Sequence, residues 1–213
     1  MMEIIAIALP WIVLLFSIII HELGHGYMAY YLGDPTAKYE GRLTLNPLAH
    51  LDPIGSILVP LILVITTGTW FGWAKPVRWN PHYISDKKWG RLKVAIAGPL
   101  SNITLALLFG LIVRFIPALG DYFLTLRALL GYVVLINLML ATFNLMPVPP
   151  LDGSDVLGAF IPALTRWKDN LPFSIQFIFL YAVVGFLSPV VSFFVSLLFS
   201  AITGTSINAI FAI

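Results

Sequence analysis

The sequence contains no cysteine and only a small share of charged side chains. Charged residues make up 10% of its 213 residues, whereas soluble proteins carry about a quarter. The lack of cysteine excludes disulfides and thiolate ligands, so any bound metal must be held by His, Asp or Glu. The net charge is only +2 and the basic residues form no continuous stripe, which argues against nucleic acid as a partner.

Hydrophobic residues dominate the composition. They make up 59% of the chain, and the mean hydropathy is +0.93. Such a composition predicts an integral membrane protein that is surrounded by the lipid bilayer. No polar segment is long enough to fold as a separate soluble domain, so we expect one integral-membrane domain over residues 1–213.

Apolar stretches of about 20 residues predict helices that cross the membrane. The second stretch is short for a crossing and contains Pro60, and the last is long and has Pro189 near its middle, so the last is either one helix or two. We therefore predict an all-α polytopic membrane protein with a bundle of transmembrane helices. The candidate stretches are residues 4–32, 54–67, 92–116, 124–146 and 173–202.

A polar segment follows the first apolar stretch. Gly33, Asp34 and Pro35 form a helix stop, and the letters AKYEGRLTL after them alternate between apolar and polar residues. This alternation between turn residues is typical of strands. We therefore expect a short β-hairpin or re-entrant element after the first helix.

The motif HELGH lies near the end of the first apolar stretch. His21 and His25 are four residues apart, so on a helix both imidazoles face the same side and can reach one Zn²⁺. Glu22 lies beside them, where it can act as general base and acid of a metalloprotease. An ionisable group in an apolar run costs several kcal/mol unless it is paired or bound to a metal, which favours a functional role.

A catalytic zinc needs a third protein ligand and one open position. The metzincin arrangement is excluded, because its third His and its Gly would fall on Tyr31 and Met28. Glu40, His50 and His82 lie in polar segments, where a solvent-facing side chain is the expected state.

Asp152 is the better candidate for the third ligand. It follows an apolar run through the prolines of PVPPL, which break the helix where a side chain must turn into the bundle. Gly153 then permits a close approach or a tight turn. The alternative interpretation makes Asp152 the N-cap of the next helix, and both roles can hold together.

Two asparagines lie in or beside the later apolar stretches. The Asn144 amide could bind a substrate carbonyl or the developing oxyanion, or it could make an interhelical hydrogen bond. Asn102 leaves the same alternatives open, and the adjacent Gly98 and Pro99 indicate close packing and a kink. Two other functions also stay open at this point, a metal carrier or channel and a non-catalytic scaffold that binds membrane helices.

HELGH on one membrane helix and NLMPVPPLDG on a later one resemble the site-2 protease family of intramembrane metalloproteases, in particular its compact prokaryotic subgroup without PDZ or CBS domains. The letters DPTAKYEGRLTLNPLAHLDPIG, FGWAKPV and AGPLSN also resemble this subgroup. The resemblance implies one zinc ion per chain, bound by His21, His25 and Asp152. It further implies that Glu22 activates water and that Asn144 binds the substrate or the oxyanion.

On this interpretation the chain is a metalloendopeptidase of the EC 3.4.24 class that cleaves in or near transmembrane segments of membrane-protein substrates, as in regulated intramembrane proteolysis. The catalytic core then covers about residues 4–156, and C-terminal helices cover about residues 157–205.

The membrane topology follows from the need for Asp152 to meet His21 and His25. An odd number of crossings must separate the first stretch from the fourth, so residues 54–67 should not cross and should instead be re-entrant or membrane-embedded. The basic residues of the connecting segments then share one side, which the positive-inside rule makes cytoplasmic. We expect a prokaryotic inner-membrane protein whose site opens toward the cytoplasm. These basic residues are Lys38, Arg42, Lys75, Arg78, Lys87, Lys88 and Arg91.

Overall fold

The computed structural model describes residues 2–52, 55, 58–67, 75–117 and 120–211. Across these ranges the chain forms helices and no strand. The helices are α1 (Met2–Tyr31), α2 (Thr36–Tyr39), α3 (Val59–Thr67), α4 (Gly90–Phe115), α5 (Gly120–Asn144), α6 (Asp152–Phe160), α7 (Pro162–Asp169), α8 (Phe173–Thr203) and α9 (Ile207–Phe211).

Four of these helices are long and apolar enough to cross a membrane. These candidate spans are Leu9–Tyr31 of α1 and the whole of α4, α5 and α8. Helix α3 has nine residues, which at about 1.5 Å per residue is too short for a hydrocarbon core of about 30 Å. Whether residues 54–67 cross the membrane stays a prediction. Residues 53, 54, 56 and 57 of the region lie outside the described residues, and whether α3 enters the membrane stays a prediction.

Helix α4 is the centre of the bundle and packs against α1, α5, α6 and α8. Small residues bring α1 and α4 close together, since a Cβ added to Gly24 would lie 2.7 Å from the carbonyl oxygen of Ala97. Farther along, α4 joins α5, α8 and α9 through a cluster of buried apolar side chains. Tight packing of α4 holds the first, third and fourth apolar stretches in one body. The cluster contains Ala106, Val113, Val134, Leu138, Val195, Phe199 and Ile210.

The predicted β-hairpin after the first helix is wrong. The segment forms the single turn α2, and Pro47–Ala49 forms a 3₁₀ turn. Asp34 favours the helical turn because its Oδ1 accepts a hydrogen bond from the backbone N–H of Thr36 at 2.9 Å. Arg42 is buried and donates from Nη1 to the carbonyl oxygen of Ala49 at 2.8 Å, so the loop closes through a side chain rather than a strand ladder.

The last apolar stretch forms one helix, α8, with Pro189 inside it. The alternative of two shorter helices is therefore wrong. Helix α5 ends at Asn144, and a short irregular segment leads to α6, which begins at Asp152. This break places the start of α6 against the middle of the bundle.

Candidate metal centre

The structure brings His21, His25 and Asp152 together, although Asp152 lies more than a hundred residues away in sequence. Their ligand atoms all lie within 4.8 Å of one another. The two histidine Nε2 atoms are 3.1 Å apart. Oδ2 of Asp152 lies 3.1 Å from Nε2 of His21 and 3.3 Å from Nε2 of His25.

Helix α4 supports both imidazole rings from behind. Nδ1 of His25 donates to the carbonyl oxygen of Val94 at 2.7 Å. A backbone carbonyl can only accept, so in the neutral ring the Nε2 atom of His25 carries a lone pair that faces the cluster. Nδ1 of His21 lies 2.7 Å from Oδ1 of Asn102. Both histidines are buried.

The three side chains fit a zinc ion. Ligands at about 2.0–2.1 Å from a tetrahedral metal are separated by roughly 3.3 Å, which is close to the three distances above. Gly98 leaves the required space, because a Cβ at this position would overlap Nε2 of His25 and lie 2.8 Å from Nε2 of His21. Nitrogen and carboxylate oxygen are ligand types that zinc accepts.

Glu22 lies on the wall of a cavity of about 350 Å³ that also exposes the three cluster residues. Its Oε2 atom accepts a hydrogen bond from the backbone N–H of Val77 at 2.7 Å. Asn144 lines the same cavity, and its Nδ2 donates to the carbonyl oxygen of Leu140 in its own helix at 2.9 Å. The structure therefore brings all five predicted site residues to one cavity, and the role of each stays a prediction.

Asp152 is the first residue of α6, and Leu151 rather than Asp152 is the N-cap. The alternative interpretation of Asp152 as an N-cap is therefore wrong. Gly153 allows the approach that its sequence position predicts, since an added Cβ would overlap the backbone carbonyl of Leu145.

The other candidate ligands lie outside the cluster. Glu40 and His82 are exposed, as expected for polar segments. His50 is not, because it is only 1% exposed and its Nε2 donates to the carbonyl oxygen of Thr44 at 2.8 Å. The expected solvent-facing state of His50 is wrong, although it is not one of the three clustered residues.

A set of ion pairs that sequence reasoning missed holds α6 beside the site. Asp155, one turn after Asp152, pairs with Arg91 of α4 at 2.7 Å and with Lys168 of α7 at 2.6 Å. Arg91 also donates from both terminal nitrogens to Asp169 at 2.7 and 2.8 Å. These hydrogen bonds hold the pKa of the Asp169 carboxyl below its usual value. The only sequence signal is the position of these charges at the ends of apolar stretches.

Four helices of membrane-crossing length, together with a cluster of two buried histidines and a half-buried aspartate beside a glutamate, place the chain in the class of membrane-embedded zinc metalloproteases. Residues 120–190 match Peptidase family M50, and this region contains Asn144 and Asp152. The chain belongs to this family, the site-2 proteases.

Relatives match a larger share of the chain than the family region does. "Putative zinc metalloprotease YwhC" of Bacillus subtilis (strain 168) is 39% identical over 167 residues, which are 75% of this chain and 73% of that protein. "Putative zinc metalloprotease Rip2" of Mycolicibacterium smegmatis is 33% identical over 82% of this chain and 65% of its own length. "Zinc metalloprotease MJ0392" of Methanocaldococcus jannaschii is 30% identical over 72% of this chain and 34% of its own length. No solved structure matches the chain significantly.

Proposed function

We propose that the chain is an intramembrane metalloendopeptidase with one zinc ion, bound by His21, His25 and Asp152. The observation that carries this proposal is the convergence of ligand atoms from two buried histidines and a half-buried aspartate within 4.8 Å of one another, with Glu22 on the wall of the same cavity. Zinc held by such ligands is a Lewis acid that makes water nucleophilic near neutral pH and polarises a carbonyl group. The site-2 protease family to which the chain belongs supports this assignment.

Glu22 is the proposed general base and acid. Its carboxylate takes a proton from the attacking water and delivers it to the leaving amine of the cleaved peptide bond. The hydrogen bond from the Val77 amide holds Oε2 at the cavity wall and leaves the second carboxylate oxygen for the water. Asn144 is the proposed donor to the substrate carbonyl. One hydrogen on its Nδ2 bonds to the carbonyl oxygen of Leu140, and the second hydrogen is available to a substrate.

The proposed substrate is a transmembrane segment of another membrane protein. Peptide bonds inside an intact helix are shielded by their own hydrogen bonds, so the segment must unwind locally before it is cut. Pro76, Val77 and Trp79 form one wall of the cavity in a stretch without helix or strand. We place the unwound peptide along this stretch, where backbone groups can pair with it. The first four residues of FGWAKPV, 71–74, lie outside the described residues.

The substitution Glu22→Gln tests this function. It keeps the size of the side chain and removes the base, so we expect cleavage of a transmembrane reporter in proteoliposomes to fall by at least about a hundredfold while zinc content is unchanged. The matched control is Glu40→Gln, because Glu40 is exposed and lies outside the cluster. Unchanged cleavage by Glu22→Gln contradicts the catalytic assignment. Zinc transport that survives the substitution, without any proteolysis, supports a metal carrier instead.

A further inference from the structure

Three polar side chains are completely enclosed where α1, α4 and α5 meet. Ser17 is 3% exposed, and Asn102 and Asn137 are 0% exposed. None of them belongs to the His, His and Asp cluster, yet Asn102 touches one of its histidines. A buried amide destabilises the fold unless its donors and acceptor are paired. The partners of each amide therefore determine which end is the oxygen and which is the nitrogen.

The direction of the Asn137 amide is determined by a backbone carbonyl. Its Nδ2 atom lies 2.8 Å from the carbonyl oxygen of Val133 and 2.9 Å from Oγ of Ser17. The carbonyl cannot donate, so the nitrogen end of the amide must face it. Oδ1 of Asn137 then faces Asn102 as an acceptor, at 2.7 Å from its Nδ2.

The direction of the Asn102 amide follows from two acceptors. Its Nδ2 donates to Oδ1 of Asn137 and, at 3.1 Å, to the backbone carbonyl oxygen of Ser17. Reversing the amide would place Oδ1 against both of these oxygens, and neither can donate. Oδ1 of Asn102 is therefore directed at His21, where it can only accept.

We propose that Asn102 is a positioning residue that keeps the proton of His21 on Nδ1 and presents the Nε2 lone pair to the metal. Ser17 and Asn137 hold the Asn102 amide in the direction that this task requires. The inference rests on the metal site of the proposed function and adds residues to it. Partners of this kind behind a metal-bound histidine typically change metal affinity by about 10- to 100-fold.

The competing explanation is that the asparagines only join three helices through hydrogen bonds. The two explanations differ in their consequences. A joining role makes Asn102 and Asn137 equivalent, because both are fully buried and each links α4 and α5 through the same bond. A positioning role separates them, because only Asn102 touches the histidine.

Zinc affinity of the purified full-length protein tests the inference. We expect Asn102→Leu to weaken zinc binding by about 10- to 100-fold and Asn137→Leu to weaken it less. Asn102→Asp keeps an acceptor for His21 and should retain most of the affinity, even though it loses both donors. The inference is overturned if Asn102→Leu binds zinc as tightly as the unsubstituted protein, or if Asn102→Leu and Asn102→Asp weaken binding equally.

A second measurement needs no substitution and therefore covers the case in which Asn102→Leu does not fold. Nitrogen-15 NMR of labelled histidine in the zinc-loaded protein reports which ring nitrogen carries the proton. We expect His21 to be protonated at Nδ1, and an unprotonated Nδ1 overturns the inference. Failure of the unsubstituted protein to bind zinc contradicts the proposed function itself, whereas zinc binding that is insensitive to Asn102 contradicts only the inference.

Discussion

Gly98 packs so closely against the two histidines of the candidate metal centre that no side chain fits at this position. A methyl group there would overlap Nε2 of His25, and neither imidazole can withdraw without losing its bond to Val94 or Asn102. We therefore expect Gly98→Ala to abolish stoichiometric zinc binding, as measured by metal analysis of the purified protein. Proteolytic activity should fall with it.

Gly185→Ala is the matched control for this substitution. Gly185 also lies inside a long helix, α8, but a Cβ at this position has no neighbouring atom within 4 Å. Because alanine favours helix over glycine by about 1 kcal/mol, this variant should fold and bind zinc normally. Normal zinc content in Gly98→Ala would show that the histidines can move and that the observed packing is not required.

The site residues that could be predicted from the sequence are those whose side-chain type is itself informative. The spacing of His21 and His25 and the proline-flanked Asp152 could be selected because few side chains bind zinc. The carbonyl of Val94 and the amide of Val77 could not, since every residue has these groups and only the fold decides which of them reach the site. The burial of His50 was missed for the same reason, because its partner is the backbone oxygen of Thr44.

At the scale of helices, Asp155 joins α6 to α4 and α7. Replacing it with Asn removes a negative charge that pairs with Arg91 and with the buried Lys168, although Arg91 keeps its pair with Asp169. We expect Asp155→Asn to lower the free energy of unfolding by about 1.5 to 3 kcal/mol, the usual range for a hydrogen bond to a charged group. Denaturant titration in detergent measures this loss. Asp121→Asn, at an exposed position on α5, should change stability by about 0.5 kcal/mol or less.

The pair between Asp169 and Arg91 predicts a dependence on pH. The pKa of Asp169 is lowered in the folded state by its hydrogen bonds from Arg91. Its contribution to stability is therefore present above the unfolded pKa of about 3.9 and is lost as the pH falls through the lower folded value. The difference in stability between the unsubstituted protein and Asp169→Asn should be constant from neutral pH to about pH 5 and smaller near pH 3. A difference that grows on acidification would contradict the assignment.

Long helices were predictable and short polar segments were not. Hydropathy over about 20 residues identifies α1, α4, α5 and α8 because each needs only length and apolar side chains. The alternation in residues 37–45 also fits a single helical turn that buries Ala37, followed by a loop closed by Arg42. The choice between a strand and a helical turn depends on hydrogen bonds to Asp34 and Ala49, which lie outside the alternating pattern.

At the scale of the whole molecule, the proposed topology predicts which residues reach each side of the membrane. The chain has no cysteine, so single cysteines can be introduced without background labelling. Suitable substitutions are Lys88→Cys and Asp121→Cys. Both residues are exposed, and they lie before and after α4, which is long and apolar enough to cross. We expect an impermeant maleimide to label position 121 in intact cells and position 88 only in inverted membrane vesicles. Labelling of both from the same side would contradict the single crossing between them.

The arrangement of the long helices could be predicted only where the contact between Asp152 and His21 constrains it. Requiring Asp152 to meet His21 limited the number of crossings, and among the described residues between α1 and α5 the helix that is long and apolar enough to cross is α4. The same requirement does not specify where α8 lies or how α6 is held. Those depend on the apolar cluster around Phe199 and on the Arg91 ion pairs, which involve residues from several separate segments.

The close packing of α1 on α4 has a mechanical consequence. Gly24 rests against the backbone of Ala97, and the rings of both histidines are tethered to α4 through Val94 and Asn102. Any motion that parted these two helices would break the hydrogen bonds that hold the two histidine rings. If the proposed function holds, we therefore expect a peptide substrate to reach the cavity past a different flank of α1 while α1 and α4 stay in contact.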